Sequence, residues 1–321
     1  MGRRFSSLEV CAGVGGQALG LERAGFDLVV LVDNDRYACA TLRANRPHWR
    51  VVQTDLKDFV GTEHAGVADV DLLSAGIPSA PFAVAGKQHG TADSRDLLRT
   101  VIFLAMDVRP RSIVIETTPN LLTNKKFAEA REWVNTELRH MGYEWDHAIL
   151  DAQDFGVPQT RRSGIIVAFR PESFRFFSWP SGDCVAPTVG EVLHESMASR
   201  GWPWADEWAK LASHVAPTIV GGSKNHGGAD LGPTRSKRAW LSLGVNASSL
   251  GDDVPGPEDI LGSAREDLPR LTVAQAKLLQ GLPEDWIVTG GKTAAYRQVA
   301  QAVPPPVATA VGEQLSRALA V

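Results

Sequence analysis

The sequence predicts an α/β protein with a parallel sheet and a second, loop-rich region. Three observations predict it. Short β-branched runs alternate with amphipathic stretches over roughly the first 170 residues, the pattern of a sheet covered by helices. The first run ends in a glycine turn that opens a helix. Between Arg175 and Asp267 the periodicity fades and Trp, Gly and Pro cluster.

In order, Phe5 to Val10 reads as a strand, Ala12-Gly-Val-Gly-Gly16 as a turn and Gln17 to Ala24 as a helix. Leu28 to Val32 is a second strand, ending at Asp33, and Asp35 to Arg46 a second helix. Trp49 to Gln53 is a third strand, running to Asp55. Leu72 to Ala75 is a fourth strand, Leu97 to Asp107 a helix and Ser112 to Ile115 a fifth strand. In parallel α/β sheets ligands sit at the carboxyl ends of the strands. Asp33, Asp55, Ser79 and Glu116 each follow a predicted strand, so they line one edge. A helix returns at Val273 to Gln280, and a last one closes the chain.

Hydrophobic residues make up 44% and charged residues 22%, an ordinary globular balance that excludes a disordered or collagen-like chain. No apolar run approaches the ~20 residues that span a bilayer, and no membrane partner is expected. Met1-Gly-Arg-Arg-Phe-Ser-Ser7 enters a strand pattern without the apolar core of a secretion signal. The expectation is a cytoplasmic protein. Three cysteines, Cys11, Cys39 and Cys184, are too few and too scattered for a disulfide framework or a zinc cluster, so no metal is expected. The net charge is −4, so nucleic-acid binding requires a local basic face. Arg235, Lys237 and Arg238 offer one, as phosphate contacts. Trp202, Trp204 and Trp208 read as local core.

The loop Glu9-Val-Cys-Ala-Gly-Val-Gly-Gly16 lets backbone approach a ligand at a positive helix end. Asp33 lies at the end of the next strand, where a carboxylate takes ribose hydroxyls. Asp55 faces an adenine amino group. A dinucleotide fits as well, but the glycine spacing departs from Gly-x-Gly-x-x-Gly.

These residues carry a resemblance that covers nearly the whole chain. Leu8-Glu-Val-Cys-Ala-Gly-Val-Gly-Gly16 resembles the first motif of the bacterial DNA cytosine-5 methyltransferases. Gly76-Ile-Pro-Ser-Ala-Pro-Phe82 is similar to their catalytic loop, Gly-x-Pro-Cys-x-x-Phe-Ser. Glu116-Thr-Thr118 stands at Glu-Asn-Val, and Gln159-Thr-Arg-Arg-Ser163 at Gln-x-Arg-x-Arg. Arg270-Leu-Thr-Val273, Gln280-Gly-Leu-Pro-Glu-Asp-Trp286 and Tyr296-Arg-Gln-Val-Ala-Gln-Ala-Val-Pro304 resemble the later motifs, in order.

The resemblance implies a Rossmann-like S-adenosylmethionine-dependent catalytic domain at 1–172 plus 269–321. It implies a target-recognition domain at 173–268 and flipping of a cytosine out of double-stranded DNA. It implies cofactor contacts at Cys11, Gly13, Gly15, Asp33, Asn34, Asp55, Leu97 and Gln301. Glu116 would hold the flipped ring at N3 and the exocyclic amine, with Arg161 the first arginine of its pair. Lys87 and Gln88, after the catalytic loop, and Lys224, Asn225 and His226, in a glycine-rich stretch, would contact DNA. A nucleoid-associated bacterial enzyme, with a sister methyltransferase subunit or a cognate nuclease as partner, completes the expectation.

Four positions depart from the family pattern. Ser79 stands at the nucleophilic cysteine, Thr117 at the motif Asn, Ser163 at the second arginine and Ala300-Gln301 at Gly-Asn. The family adds a thiolate to C6 of the ring, and a serine hydroxyl is far harder to ionise. C5 methylation is therefore expected to be weak or absent. Two readings stay open. The methyl goes to the N4 amine, which carries its own lone pair, with Ser79 accepting a hydrogen bond from it and Phe82 stacking on the base. Alternatively, the protein is a catalytically silent DNA-binding or partner subunit.

Overall fold

A computed structural model describes residues 4–78, 97–220 and 229–321. The chain divides into two compact units, one of residues 1–150, 162–181 and 307–321 and the other of 151–161 and 182–306.

The first unit holds a seven-stranded sheet. Its strands are β1 (Phe5–Val10), β2 (Phe26–Asp33), β3 (Val51–Gln53), β4 (Leu72–Gly76), β5 (Ser112–Thr117), β6 (Glu144–Asp151) and β7 (Arg162–Phe169), in the order β3-β2-β1-β4-β5-β7-β6. The β1–β5 pairings are all parallel, and β7 runs antiparallel to β5. The predicted parallel sheet is thus a mixed one. A parallel neighbour needs a long crossover, and β7 instead follows β6 after only a short turn built on Gly156 in the left-handed region.

Leu72, Leu73 and Ala75 of β4 are all buried, as expected of a strand covered on both faces. Helix α1 (Gly16–Arg23) follows β1, and α2 (Arg36–Asn45) follows β2. Asp35 caps α2 by accepting from the amides of Tyr37 and Ala38. Helix α3 (Leu98–Val108) buries Leu98, Val101, Ile102 and Ala105, whose three- and four-residue spacing makes one apolar stripe. The short α4 (Pro119–Thr123) follows β5, and α5 (Ala128–His140) buries Ala130, Val134 and Leu138. The four-residue α6 (Pro171–Phe174) follows β7.

The second unit contains α7 (Val189–Ala198), α8 (Ala205–Leu211), α9 (Thr234–Leu241), α10 (Val273–Leu279) and α11 (Lys292–Gln301). Its core gathers Leu193, Met197, Trp202, Trp208, Trp240 and Tyr296. Trp202 and Trp208 are core as expected, whereas Trp204 is 39% exposed. A closing helix, α12 (Pro305–Leu319), ends the chain. No helix among the described residues is long and apolar enough to cross a membrane.

Candidate cofactor and base-holding site

The site begins where parallel strands end together. Val10 pairs with Val32 and Ala75, Asp33 with Gln53, and Gly76 with Glu116. The register places the glycine loop, Asp33 and Glu116 along one edge, as the sequence predicts.

Beyond β1 the backbone turns sharply. Cys11, Gly13 and Gly15 all have positive φ, of 56°, 55° and 87°. Only glycine adopts that region without strain. A Cβ placed on Gly13 would meet nothing within 4 Å, so the space beside the loop is open. Asp33 fixes the loop. Its Oδ2 accepts from the Gly13 amide at 2.8 Å, and its Oδ1 from the Asp35 amide at 2.8 Å. Expected as a ribose ligand, Asp33 is first a brace for the loop.

Asp55 lies just beyond β3 and accepts from the Lys57 amide at 3.0 Å. Asn34 is exposed in the bend after β2, and Leu97 packs partly buried at the start of α3. These residues and the loop all belong to the first unit, whereas Gln301 ends α11 in the second. Among the described residues no cluster of His, Cys, Asp or Glu could hold a metal.

Glu9 was missed by sequence reasoning. It is 1% exposed, accepts from Ser74 Oγ at 3.1 Å and also takes the Ala18 amide in the first turn of α1. Gly15, at the N-cap, makes no side-chain cap bond, so the β1 carboxyl satisfies a helix-end donor instead. An acidic residue ending a buried strand beside a glycine turn was the available signal. Burial pushes its pKa up to about 8, against smaller opposing effects of the Ser74 and Ala18 hydrogen bonds. Between pH 4.5 and 8 the folded protein therefore binds more protons than the unfolded chain, and stability falls as pH rises. Glu9→Gln keeps an acceptor but cannot ionise. Unfolding free energy from denaturant melts should fall less steeply with pH for Glu9→Gln across pH 5–8, by up to ~1 kcal/mol per pH unit. Parallel curves for the two proteins would show that Glu9 is already ionised in the fold.

Glu116, half-buried on β5, accepts from Ser163 Oγ of β7 at 2.6 Å. Where the resemblance puts an arginine, a neutral hydroxyl holds the carboxylate. Thr117 Oγ1, on the next residue, is buried with no hydrogen-bond partner. In the second unit, Arg161 Nη1 donates to the carbonyls of Ala300 at 3.0 Å and Ile219 at 3.3 Å. Arg235 is exposed on α9, and Lys237 on the same helix pairs with Asp230 at 2.7 Å. Ser79, Phe82, Lys87, Gln88, Lys224, Asn225 and His226 lie outside the described residues.

Neither Cys11 nor Cys39 is ready to serve as the nucleophile. The Cys11 thiol is pushed far up by burial, and then by the charges of Asp33, Asp55 and Glu9. Cys39 is pushed up to about 11, chiefly by burial, and its Sγ lies 3.4 Å from the Asp33 carbonyl. Both stay protonated near neutrality, and the thiolate is the reactive form.

The model of the C-5 cytosine-specific DNA methylase family matches residues 5–317. The chain belongs to that family. Within it, the chain is 45% identical over 316 residues to the type II methyltransferase M.NaeI of Lentzea aerocolonigenes, covering 97% of this chain and 75% of that protein. It is 41% identical over 320 residues to M.NgoMIV of Neisseria gonorrhoeae, covering 98% of each. Among solved structures, a DNA modification methyltransferase encoded within an E. coli prophage superposes with a TM-score of 0.69 at 20% identity. That match covers 97% of this chain and 98% of the other, and shows the shared fold. Members of the family are S-adenosylmethionine-dependent DNA cytosine methyltransferases.

Proposed function

We propose that this family member binds S-adenosylmethionine in the first unit, takes a cytosine flipped out of double-stranded DNA, and transfers the methyl group to the N4 amine. The observation that carries the reading is the Ser163–Glu116 hydrogen bond. Ser163 orients Glu116 without adding a positive charge. A carboxylate oxygen is an acceptor suited to an exocyclic N–H. Ser79 leaves C5 chemistry without its thiol, and Cys11 and Cys39 stay protonated.

The glycine loop fits the cofactor. Gly13, Gly15, Asp33, Asn34, Asp55 and Leu97 would hold it, with Cys11 as a further contact. The bound group supplies an electrophilic methyl. Glu116 holds the amine and receives its proton, Ser79 accepts a second hydrogen bond from the amine, and Phe82 stacks on the ring. Residues 173–268 read the DNA, with Lys224, Asn225, His226, Arg235 and Lys237 as contacts. Lys87 and Gln88 add contacts beside the base.

A second reading rests on Thr117, whose buried hydroxyl finds no partner. A pocket relieved of catalysis tolerates such a loss. In that case the protein is a silent DNA-binding subunit beside a sister methyltransferase or a nuclease.

One experiment separates the readings. The protein is incubated with DNA and S-adenosylmethionine labelled in the methyl group, and the DNA is digested to nucleosides. Labelled N4-methylcytosine is expected. Labelled 5-methylcytosine would overturn the choice of atom. Absence of label with intact DNA binding would establish the silent reading. The cofactor alone should raise the melting temperature by mass action, and no shift at saturation would remove the enzyme reading.

A further inference from the structure

We propose that Gln159, Arg161 and Tyr296 are positioning residues for DNA recognition, forming a latch that fixes the backbone of residues 216–220. The proposal rests on the reading that the second unit meets DNA. All three side chains, and everything they bind below, belong to that unit.

Residues 216–220 belong to no strand. An isolated bridge joins Gln159 and Ala216 in parallel. Ala216 donates its amide to the Pro158 carbonyl at 2.9 Å, and Thr160 donates to the Ala216 carbonyl at 2.8 Å. Side chains supply the rest. Gln159 is fully buried, and its Oε1 accepts from the Ile219 amide at 2.7 Å. Its Nε2 donates to the Leu279 carbonyl at 3.2 Å and to Gln280 Oε1 at 2.8 Å. Arg161 Nη1 takes the Ile219 carbonyl and that of Ala300. Tyr296, fully buried on α11, donates its hydroxyl to the Val220 carbonyl at 3.0 Å. Thr218 Oγ1 donates to the Thr160 carbonyl at 2.6 Å.

Two chain segments far apart in sequence, 158–161 and Tyr296, thus converge on five residues, and Gln159 and Arg161 are tied in turn to Leu279, Gln280 and Ala300. A buried polar network of this kind selects one arrangement, because a shifted one leaves donors unpaired at low dielectric. The segment it holds packs against the approach to α9, because a Cβ on Gly232 would come 2.5 Å from Val220 Cγ2. Asp230 is held in turn by Lys237 and by the Gly232 amide. Helix α9 carries Arg235 and Lys237, the proposed DNA contacts nearest to the latch. Arg161 then acts through the recognition segment.

The test uses the full chain carrying Tyr296→Phe, which keeps the ring and removes one hydrogen bond. Thr218→Val, at an exposed bond, is the second variant. Amide exchange is followed across 216–220, and sequences are selected by binding from a randomised pool of duplexes. Exchange at 216–220 should quicken roughly three- to tenfold in both variants, the factor for one lost hydrogen bond, with α3 and α5 unaffected. The sequence preference selected by the wild-type protein should flatten. Unchanged exchange would overturn the latch. Faster exchange with an unchanged preference would reduce it to structural support. A wild-type protein that selects no sequence would sink the DNA reading itself, while the exchange result would still judge the latch.

Discussion

Replacing Glu116 with alanine should abolish methyl transfer while leaving affinity for duplex DNA largely intact. Glu116 ends the buried run of β5 beside Gly76 and accepts a hydrogen bond from Ser163 of β7. A positioned acid or base contributes about 10²–10⁴-fold to a transfer reaction. Its loss takes the rate below detection. Alanine also strands Ser163 Oγ, whose residue is only 4% exposed, at a cost of ~1–3 kcal/mol. Glu116→Gln separates the two effects. Its amide oxygen still accepts from Ser163, so stability should be nearly wild type, yet it cannot take up a proton. Labelled-methyl incorporation and thermal melting, measured together, check both. An active Glu116→Ala protein would place the base elsewhere in the fold.

The first unit was largely legible because its strands carry simple patterns. Phe5–Val10 appears where the apolar run and glycine turn put it. The third strand is shorter than expected, Val51–Gln53, because Trp49 is used in the turn out of α2, its amide bonding the Arg46 carbonyl. The second region hid three helices in what read as loops. Helices α7, α8 and α9 have only ten, seven and eight residues, too short for periodicity to stand out among Pro and Gly. The capping box of Thr188 and Glu191 was the signal available.

The site shows the same division. Motif position identified Asp33 and Glu116, but not what they bind. That Asp33 braces Gly13, and that Ser163 takes the place of an arginine beside Glu116, depends on strand register. One sequence does not encode that register in any local pattern. Glu9 escaped because a buried carboxyl is read as a strand residue until its partners, Ser74 and Ala18, are brought to it from 65 and 9 residues away.

Gly190→Ala should be among the most damaging single changes in the second unit. Gly190 is the second residue of α7, and its amide bonds the Ala212 carbonyl just past α8 at 2.8 Å. Val189 likewise bonds His214, so the start of α7 is fixed to the end of α8 by backbone alone. A Cβ at 190 would lie inside van der Waals contact of the Ala209 carbonyl oxygen, and 2.9 Å from its carbonyl carbon. No rotamer change relieves a clash with backbone. The helices must part, and with them the packing of Leu193, Met197 and Trp208. The expected cost is about 3 kcal/mol, the upper range of overpacking. Gly291→Ala is the control. Its Cβ meets nothing within 4 Å and φ is −68°, so its cost should stay near that of an ordinary N-cap change, under ~1 kcal/mol. Denaturant melts of the two full-length variants decide the point, and equal midpoints would show that α7 and α8 do not meet at Gly190. Because the proposed DNA contacts hang from this unit, Gly190→Ala should also weaken duplex binding at temperatures where cofactor binding by the first unit persists. The same change would then separate the two activities that the chain combines.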